Sequence, residues 1–348
     1  MSGDSGSSAN SLMQVVSRFA PSPTGRLHLG HAYCALRAFD FARRCGGRFL
    51  LRIEDIDPGR SRPAHVAEIL EDLAWLGLDW DGEVLVQSQR LSAYAEALDR
   101  LKAMGLAYPC FCTRAEIAAE IAASAAAPHG PDGPLYPGTC QGLSEAARSR
   151  RMADEPHAWR LDVAKAIQAA LPLPPFAGEG GPAETRRGVR VLTESSEKTL
   201  TSQASLGSLL PRGMRERGNA LSWTDNGAEI EAEPALFGDV VLARKDAPSS
   251  YHLAVTVDDA AQGVTDVVRG RDLFAATHVH RLLQALLGLP TPAYHHHDLL
   301  RGSDGQRLAK RHGAPTLADL RASGEDPRRL AADLLAGRFP AGYSATGA

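Results

Sequence analysis

A proline- and glycine-rich loop between a predicted strand and a predicted helix constrains this chain more than any other feature. The β-branched run VVSRF ends at Phe19, the loop PSPTGRLHLGH follows, and apolar residues at helical spacing continue to Gly46. RFLLRI then predicts a second strand. Residues 15–56 therefore predict a strand, a helix and a parallel strand with a right-handed crossover, which is half of a nucleotide-binding α/β fold.

The loop lies where such a fold binds its ligand. Beyond the carboxyl ends of parallel strands, backbone N–H groups and a helix start provide an anion site. Gly25 and Gly30 would allow close approach to a phosphate, and His28 and His31 are spaced so that both can face it. Their imidazoles would stabilise charge developing on phosphorus without covalent chemistry. The alternative is an ordinary turn with histidines on the surface.

The rest of the sequence divides into regions that differ in the periodicity of their apolar residues. Helical spacing continues to about residue 105, an irregular insertion follows, and compact elements resume in FGDVVLARK, which we expect to help complete the sheet. Within the insertion, residues 171–233 show little periodicity, and we expect them to be disordered or irregular. The predicted parts are a disordered tail at 1–14, the first half of the nucleotide-binding domain at 15–105, an insertion at 106–235, the second half at 236–314 and a short helical C-terminus at 315–348.

Composition excludes some classes of protein. With 44% hydrophobic and 23% charged residues, the 348-residue chain is expected to be globular, and no apolar run approaches the ~20 residues of a membrane span. The polar start MSGDSGSSANS lacks the pattern of a secretory signal, so we expect a cytoplasmic protein without a membrane partner. A net charge of −3 argues against general polyanion binding but leaves a local RNA surface open.

The stretch from Arg18 to Asp57 closely resembles one known family. PSPTGRLHLGH resembles the HIGH motif of class I aminoacyl-tRNA synthetases in the form of the glutamyl and glutaminyl branch, and RFAPSPTG and GGRFLLRIEDID resemble the same branch. The resemblance implies a Rossmann-like class I α/β fold with a parallel sheet, a zinc-bearing insertion and a short helical C-terminal part. It also implies that His28, Gly30 and His31 bind ATP and that the two histidines assist catalysis.

The second motif of these synthetases, KMSKS, has a divergent counterpart, RLAKR, at 307–311. Arg307 stands where lysine is usual, and Ala309 stands where serine is usual. On this resemblance Lys310 is the catalytic lysine that binds ATP and neutralises the triphosphate in the transition state. Arginine does not simply replace lysine, so the role of Arg307 stays open. By itself, RLAKR would be an ordinary solvated basic loop.

A glutamate substrate needs an anion for its ammonium group and arginine for its side-chain carboxylate. The pattern of the branch implies that Glu54 meets the ammonium and that Tyr251 and Arg269 complete the pocket. An arginine suits a carboxylate better than an amide, which favours glutamate over glutamine. The alternative for Glu54 and Arg269 is structural ion pairing near strand ends. The residues that the resemblance assigns to glutamate binding are Arg18, Phe19, Ala20, Pro21, Ser22, Glu54, Tyr251 and Arg269.

Three of the five cysteines cluster in the sequence. In CFC, Cys110 and Cys112 would lie on the same side of an extended segment, and Cys140 follows in LYPGTC. An odd number of cysteines without a secretory signal favours one structural zinc ion over disulfides. General zinc chemistry would supply His129 or His157 as the fourth ligand. Buried thiols without metal are the alternative.

A resemblance supplies a different fourth ligand. CFCTR and LYPGTC resemble the Cys-Cys-Tyr-Cys site of one small subfamily of these synthetases, which implies that Tyr136 completes the site. A second metal-like run, HHH at 295–297, lies in a predicted strand. Consecutive strand residues alternate between faces, so we do not expect these three side chains to bind one ion.

Taken together, these features resemble a family of short paralogues, the glutamyl-Q tRNA(Asp) synthetases, over about residues 15–165 and 234–325. Residues 312–348 are too few for a helical anticodon-binding region. Membership would imply that the α-carboxylate of L-glutamate attacks the α-phosphate of ATP, with Mg²⁺ screening the phosphates through few protein ligands. The glutamyl group would then pass from the adenylate to the queuosine base in the anticodon of tRNA(Asp).

Three other interpretations stay open at the level of sequence. A truncated glutamyl-tRNA synthetase would charge tRNA(Glu) at its 3′ end. A different nucleotidyl-transferring enzyme would keep the two phosphate motifs without selecting glutamate. A catalytically silent RNA-binding module would not need His28, His31 and Lys310 intact. For the enzyme, we expect a monomer.

Overall fold

The computed structural model describes residues 14–123, 129–131, 133–171, 220–302, 305, 308 and 315–346. The chain divides into one unit, Met1–Ala170 with Leu221–Ala348, and a second unit, Leu171–Ala220, of which only the two terminal residues are described. The predicted tail before residue 14, residues 172–219 of the predicted irregular segment, and Arg307, Ala309 and Lys310 lie outside the described residues. The elements below belong to the first unit.

The amino-terminal half forms the predicted strand, helix and parallel strand. Strand β1 (Val16–Phe19) pairs in parallel with β2 (Arg48–Ile53), and helix α1 (Leu29–Arg44) connects them. Helix α1 ends where Gly46 takes a left-handed conformation with φ of 63°, which glycine adopts without strain. Helix α2 (Pro63–Trp75), strand β3 (Leu85–Val86), which is parallel to β2, and helix α3 (Leu91–Ala103) follow.

The elements of the insertion are short. In chain order they are β4 (Ala107–Cys110), α4 (Arg114–Ala123), β5 (His129–Gly130), β6 (Gly133–Pro134), α5 (Glu145–Asp154), β7 (Ala158–Leu161) and α6 (Val163–Ala170). Strands β4 and β7 are antiparallel, and so are β5 and β6. The insertion therefore has its own small antiparallel sheet.

The carboxyl-terminal half supplies the remaining elements of the fold. Its elements are β8 (Ser222–Asp225), β9 (Ala228–Glu231), β10 (Val241–Ala243), α7 (Tyr251–Ala261), β11 (Asp266–Gly270), α8 (Ala276–Leu287), β12 (Ala293–His297), β13 (Leu299–Arg301), α9 (Leu317–Ala322), α10 (Pro327–Leu335) and β14 (Ser344–Thr346). Strands β8, β12 and β11 are parallel, and β9 is antiparallel to β8.

Two expectations about this half are wrong. The sequence places FGDVVLARK in the catalytic sheet, but β10 pairs antiparallel with β7 and so belongs to the sheet of the insertion. The sequence also extends the irregular segment to residue 233, whereas β8 and β9 form a hairpin there and β8 joins β12. The Asn226–Gly227 turn, with φ of 49° and 82°, closes that hairpin.

The parallel sheet of β1, β2 and β3 and the mixed sheet of β11, β12, β8 and β9 meet at β1 and β11, where the backbone N–H of Thr265 donates to the carbonyl of Val16 at 2.9 Å. One apolar core lies around α1 and includes Leu330 and Leu334 of α10, so the C-terminal helices pack on the nucleotide-binding half. A second core surrounds α8. These observations confirm the predicted α/β fold with parallel strand pairing. Among the described residues, no helix combines the length and the apolar character that crossing a bilayer requires.

Candidate active site

The predicted phosphate loop ends in a helix cap made by two histidines. His28 is the N-cap of α1, and its Nδ1 accepts a hydrogen bond from the backbone N–H of Gly30 at 3.1 Å. The Nδ1 of His31 accepts from the backbone N–H of His28 at 3.2 Å. The two rings lie against each other, with centroids 3.8 Å apart and planes inclined by 31°. The cap therefore satisfies two N–H groups at the start of the helix and fixes both rings.

This cap also sets the tautomer of each ring. A neutral imidazole whose Nδ1 accepts a hydrogen bond carries its proton on Nε2 and donates from there. Both histidines are thus prepared as Nε2–H donors at the N-terminus of α1, where the helix dipole favours an anion. Such donors can stabilise negative charge on a phosphate without changing their own protonation.

The C-terminal part of the chain borders this loop directly. The backbone N–H of Leu317 donates to the carbonyl of Leu27 at 2.9 Å, and Thr316 forms an isolated antiparallel bridge with His28. Leu308, within the KMSKS-like stretch, is buried, and its Cβ would lie 3.8 Å from a Cβ placed on Gly30. The two sequence motifs therefore approach each other at Leu308 and Gly30.

The predicted amino-acid pocket contains a buried cluster of charges. Asp259 of α7 accepts from Arg18 at 2.9 and 3.3 Å and pairs with Arg52 at 2.8 Å. The Nε of Arg52 lies 3.5 Å from a carboxylate oxygen of Glu54. Although burial opposes it, the two arginines lower the pKa of Asp259. Burial raises the pKa of Glu54, and Arg52 only partly offsets this.

The neighbouring residues of the first loop connect to this cluster. Phe19 and Pro21 are buried, Ala20 is half-buried and Ser22 is exposed. The carbonyl of Pro21 accepts the backbone N–H of Glu54 at 3.0 Å, which ties the loop after β1 to the end of β2. The predicted residues from Arg18 to Ser22 and Glu54 therefore lie together at the carboxyl ends of β1 and β2.

Arg269 ends up beside Tyr251, as the resemblance implies. Arg269 lies in β11 and is 6% exposed, and its Nη1 donates to the Tyr251 hydroxyl at 3.3 Å. Its other contacts are with His296, Thr277 and the carbonyl of Leu273. Burial raises the pKa of Tyr251 to about 12, so the phenol stays protonated at neutral pH.

A cleft of about 1240 Å³ connects these groups with the insertion. Ser22, Glu54 and Tyr251 line one part of it, and Cys112 and Tyr136 line another. Basic side chains, Arg60, Arg114, Arg160, Arg244 and Lys245, lie along the same cleft. The cleft is therefore large enough for more than an amino acid, and its lining combines these basic groups with the carboxylates of Asp57, Asp239 and Asp246.

The three clustered cysteines meet in space. The Sγ atoms of Cys110, Cys112 and Cys140 all lie within 4.8 Å of one another. The Tyr136 hydroxyl lies 3.4 Å from the sulfur of Cys110 and 3.5 Å from that of Cys112. Burial raises the pKa of Cys112 to about 11, whereas the pKa of Cys140 is lowered against its burial, chiefly by the Phe111 N–H.

These four donor atoms fit a tetrahedral zinc ion, whose bonds of about 2.3 Å to sulfur and about 2.0 Å to oxygen place neighbouring ligands close to these separations. Within the described residues, the His, Cys, Asp and Glu side chains of this group are the three cysteines, and neither His129 nor His157 belongs to it. His157 packs instead against Phe111 and Trp159. The geometry therefore favours Tyr136 over a histidine as the fourth ligand.

The sequence does not reveal the residues that hold the predicted ones in place. Asp259 pairs with Arg18, and Arg52 pairs with Glu54. His296 accepts a hydrogen bond from Arg269 and contacts Asp225 on its other side. RIED and VDD contain charged residues near strand and helix ends, but no local pattern pairs Arg18 with Asp259, which lies 241 residues further along the chain. The histidines at 295–297 alternate as expected, since His295 pairs with Asp266 and His296 with Asp225.

Comparison with known proteins identifies the family. The model of the family described as tRNA synthetases class I (E and Q), catalytic domain, matches residues 14–171 and 192–342. A protein of Rhodobacter capsulatus named glutamyl-Q tRNA(Asp) synthetase is 46% identical over 91% of this chain and 99% of its own length. One of the same name from Nocardia farcinica is 43% identical over 90% of this chain and 82% of its own length.

Solved structures agree on the fold. A glutamate-tRNA synthetase from Elizabethkingia anophelis is 25% identical, with a TM-score of 0.61 over 86% of this chain and 53% of that protein. A glutamate tRNA ligase from Elizabethkingia meningosepticum, solved with its amino acid, gives the same identity and TM-score over 86% and 52%. The chain spans about half the length of these two proteins. It therefore belongs to the class I glutamyl- and glutaminyl-tRNA synthetase family, in the group named glutamyl-Q tRNA(Asp) synthetase.

Proposed function

We propose that this protein activates L-glutamate with ATP and transfers the glutamyl group to the queuosine base in the anticodon of tRNA(Asp). The name of its relatives, which align over most of their own length, supports this substrate. The observation that carries the proposal is one cleft of about 1240 Å³ in which the half-buried Glu54 and Tyr251 lie together with basic side chains of the insertion and its surroundings, such as Arg114 and Lys245. One site of this kind can bind an amino acid, activate it and receive an RNA nucleotide.

His28 and His31 act at the phosphate end of the site. Their Nε2–H groups bind the α-phosphate region of ATP, with the backbone of Gly30 beside them, while the α-carboxylate oxygen of glutamate attacks phosphorus. The bond from that phosphorus to pyrophosphate breaks, and charge builds up on the phosphate oxygens. Lys310 neutralises the departing pyrophosphate; its position in the sequence, two residues after the buried Leu308, supports that role. Mg²⁺ accompanies ATP and keeps mostly water ligands.

Glu54 and Arg269 act at the amino-acid end. The Glu54 carboxylate takes the ammonium group, and the guanidinium of Arg269, with the Tyr251 hydroxyl beside it, takes a carboxylate. The remaining wall is Arg18, Phe19, Ala20, Pro21 and Ser22. Arg18 is paired with Asp259, so its charge is already partly balanced and it orders the wall rather than attracting any anion. A glutamate, with one positive and two negative groups, matches this set better than glutamine does.

The insertion holds one structural zinc ion through Cys110, Cys112, Tyr136 and Cys140. Its donor set and the distances between the four donor atoms support this assignment. Because Cys112 and Tyr136 also line the cleft, the ion would stabilise one of its walls.

In the transfer step a hydroxyl oxygen of the queuosine cyclopentenediol attacks the acyl carbon, the bond to AMP breaks, and the hydroxyl proton is released.

The second candidate is a truncated glutamyl-tRNA synthetase that charges tRNA(Glu), and the likeness to glutamate-tRNA synthetase structures favours it. Labelled glutamate, ATP and Mg²⁺ should be incubated with the protein and one of three RNAs: queuosine-containing tRNA(Asp), queuosine-free tRNA(Asp) or tRNA(Glu). Label retained only on the first RNA supports the proposal. Label on tRNA(Glu) would support the second candidate instead. Pyrophosphate exchange with glutamate and no RNA tests the activation step separately.

A further inference from the structure

A chain of buried side chains lies behind Arg269. Asp225 ends β8, and His296 lies in the neighbouring strand β12. One carboxylate oxygen of Asp225, Oδ1, lies 3.0 Å from the backbone N–H of His296 and 2.9 Å from its Nδ1. The Nε of Arg269 donates to the Nε2 of His296 at 3.1 Å. We call Asp225, His296 and Arg269 the arginine relay.

The chemistry of arginine fixes the state of the ring in this relay. A guanidinium only donates hydrogen bonds, so the Nε2 of His296 must be the acceptor and its Nδ1–H must donate to Asp225. Burial, with help from the Arg269 charge, lowers the pKa of His296 to about 4, in agreement with a neutral ring. Aromatic side chains pack around that ring and hold its plane: Trp223, Phe274 and Tyr294.

The other N–H groups of the Arg269 guanidinium also donate hydrogen bonds within the protein, except for one. The Nη2 of Arg269 donates to the carbonyl of Leu273 at 3.0 Å and to Thr277 Oγ1 at 2.7 Å. Its Nη1 donates to the Tyr251 hydroxyl at 3.3 Å. Four of the five N–H donors of an arginine are thus matched by acceptors in the described part of the chain. The fifth is on Nη1, the edge next to Tyr251, which lines the cleft.

We propose that Asp225 and His296 are positioning residues for glutamate binding, which hold the guanidinium plane of Arg269 so that its Nη1 edge meets the substrate carboxylate. This inference rests on the proposed function and adds the residues that orient its carboxylate-binding arginine. A prepositioned guanidinium loses less freedom when the substrate binds. Its fixed plane also favours a carboxylate over the isosteric amide of glutamine.

The test compares three variants by pyrophosphate exchange. His296→Leu removes the acceptor for Arg269, whereas His296→Gln retains one in its side-chain oxygen. His295→Leu is the matched control, because His295 is the adjacent residue, points to the opposite face of β12 and pairs with its own aspartate, Asp266, at 2.8 Å. KM is measured for glutamate at saturating ATP and for ATP at saturating glutamate, which makes the result independent of the fraction of active protein.

We expect His296→Leu to raise KM for glutamate at least about tenfold, the effect of leaving a charged donor unpaired, with KM for ATP changed less than about twofold. His296→Gln should recover most of the loss, and His295→Leu should leave both KM values unchanged. Equal effects of His296→Leu and His295→Leu, or equal changes in both KM values, would overturn the inference. If the unaltered protein shows no exchange with glutamate, the proposed function fails as well.

A second measurement does not depend on activity. Correlation spectra of ¹⁵N-labelled histidine side chains in the unaltered protein report which ring nitrogen carries the proton, and the folded His296→Gln protein identifies the signal. The relay predicts a neutral His296 protonated at Nδ1. A proton at Nε2 would exclude the hydrogen bond from Arg269 and with it the positioning role.

Discussion

The charge cluster beneath the amino-acid pocket allows a direct prediction about stability. Asp259 is the common partner of Arg18 and Arg52, and its side chain is only 9% exposed. Asp259→Asn keeps the shape of the side chain but removes the charge that balances two buried arginines. Breaking a buried ion pair from one side typically costs about 3–5 kcal/mol. We expect a loss of that size in the free energy of unfolding.

Asp246 provides a matched control that separates the effect of burying a charge from the effect of losing an ion pair. Asp246 pairs with Arg244 at 2.6 Å, but the Asp246 side chain is 67% exposed. An exposed pair contributes less than about 1 kcal/mol, so Asp246→Asn should have a small effect. Urea unfolding of both variants, followed by far-UV circular dichroism at pH 7, makes the comparison. Equal losses in the two variants would refute the argument that Asp259 balances buried charge.

Three further predictions follow from the site and its surroundings. Gly30→Ala would place a Cβ 3.0 Å from the His28 ring. We therefore expect KM for ATP in pyrophosphate exchange to rise about tenfold and KM for glutamate to stay unchanged. Equal changes in the two KM values would contradict this prediction. Burial lowers the pKa of His252 from 6.5 to about 4, so the unfolded chain binds a proton more readily than the folded protein. The free energy of unfolding should therefore fall by up to about 3 kcal/mol as the pH is lowered from 6.5 to 4. In urea unfolding, His252→Gln should show a shallower dependence of this free energy on pH. Elemental analysis should find about one zinc ion per chain in the unaltered protein and in the variant of the exposed Cys45, Cys45→Ser, but none in Cys140→Ser. Zinc retained by both variants would exclude the assigned site.

Local patterns in the sequence predicted the elements that carry the phosphate loop. The apolar spacing of α1, the glycine that ends it and the β-branched strands on either side are all properties of neighbouring residues, and β1, α1 and β2 lie where these patterns indicate. The meeting of Cys110 and Cys112 is equally local, because a period of two places both side chains on one side. Such features need no knowledge of the rest of the fold.

Long-range pairing is what the sequence did not disclose. Strand β10 has three residues, too few for their pattern to indicate whether they join the catalytic sheet or the sheet of the insertion. The β8–β9 hairpin does carry a local signal, the Asn226–Gly227 turn between SWTD and AEIE, but the stretch before it shows so little periodicity that the sequence predicts an irregular segment through this turn. The partners of Arg18 and Arg269 are set by packing between distant elements, which one sequence does not show.

In the proposed reaction, glutamate reaches the anticodon and not the 3′ end of the RNA. The most direct test is to label queuosine-containing tRNA(Asp) with the protein, ATP and radioactive glutamate, digest the RNA with a nuclease, and separate the anticodon fragment from the 3′-terminal fragment. The account predicts that the label is in the anticodon fragment and is absent when queuosine is missing. Label in the 3′-terminal fragment would contradict it.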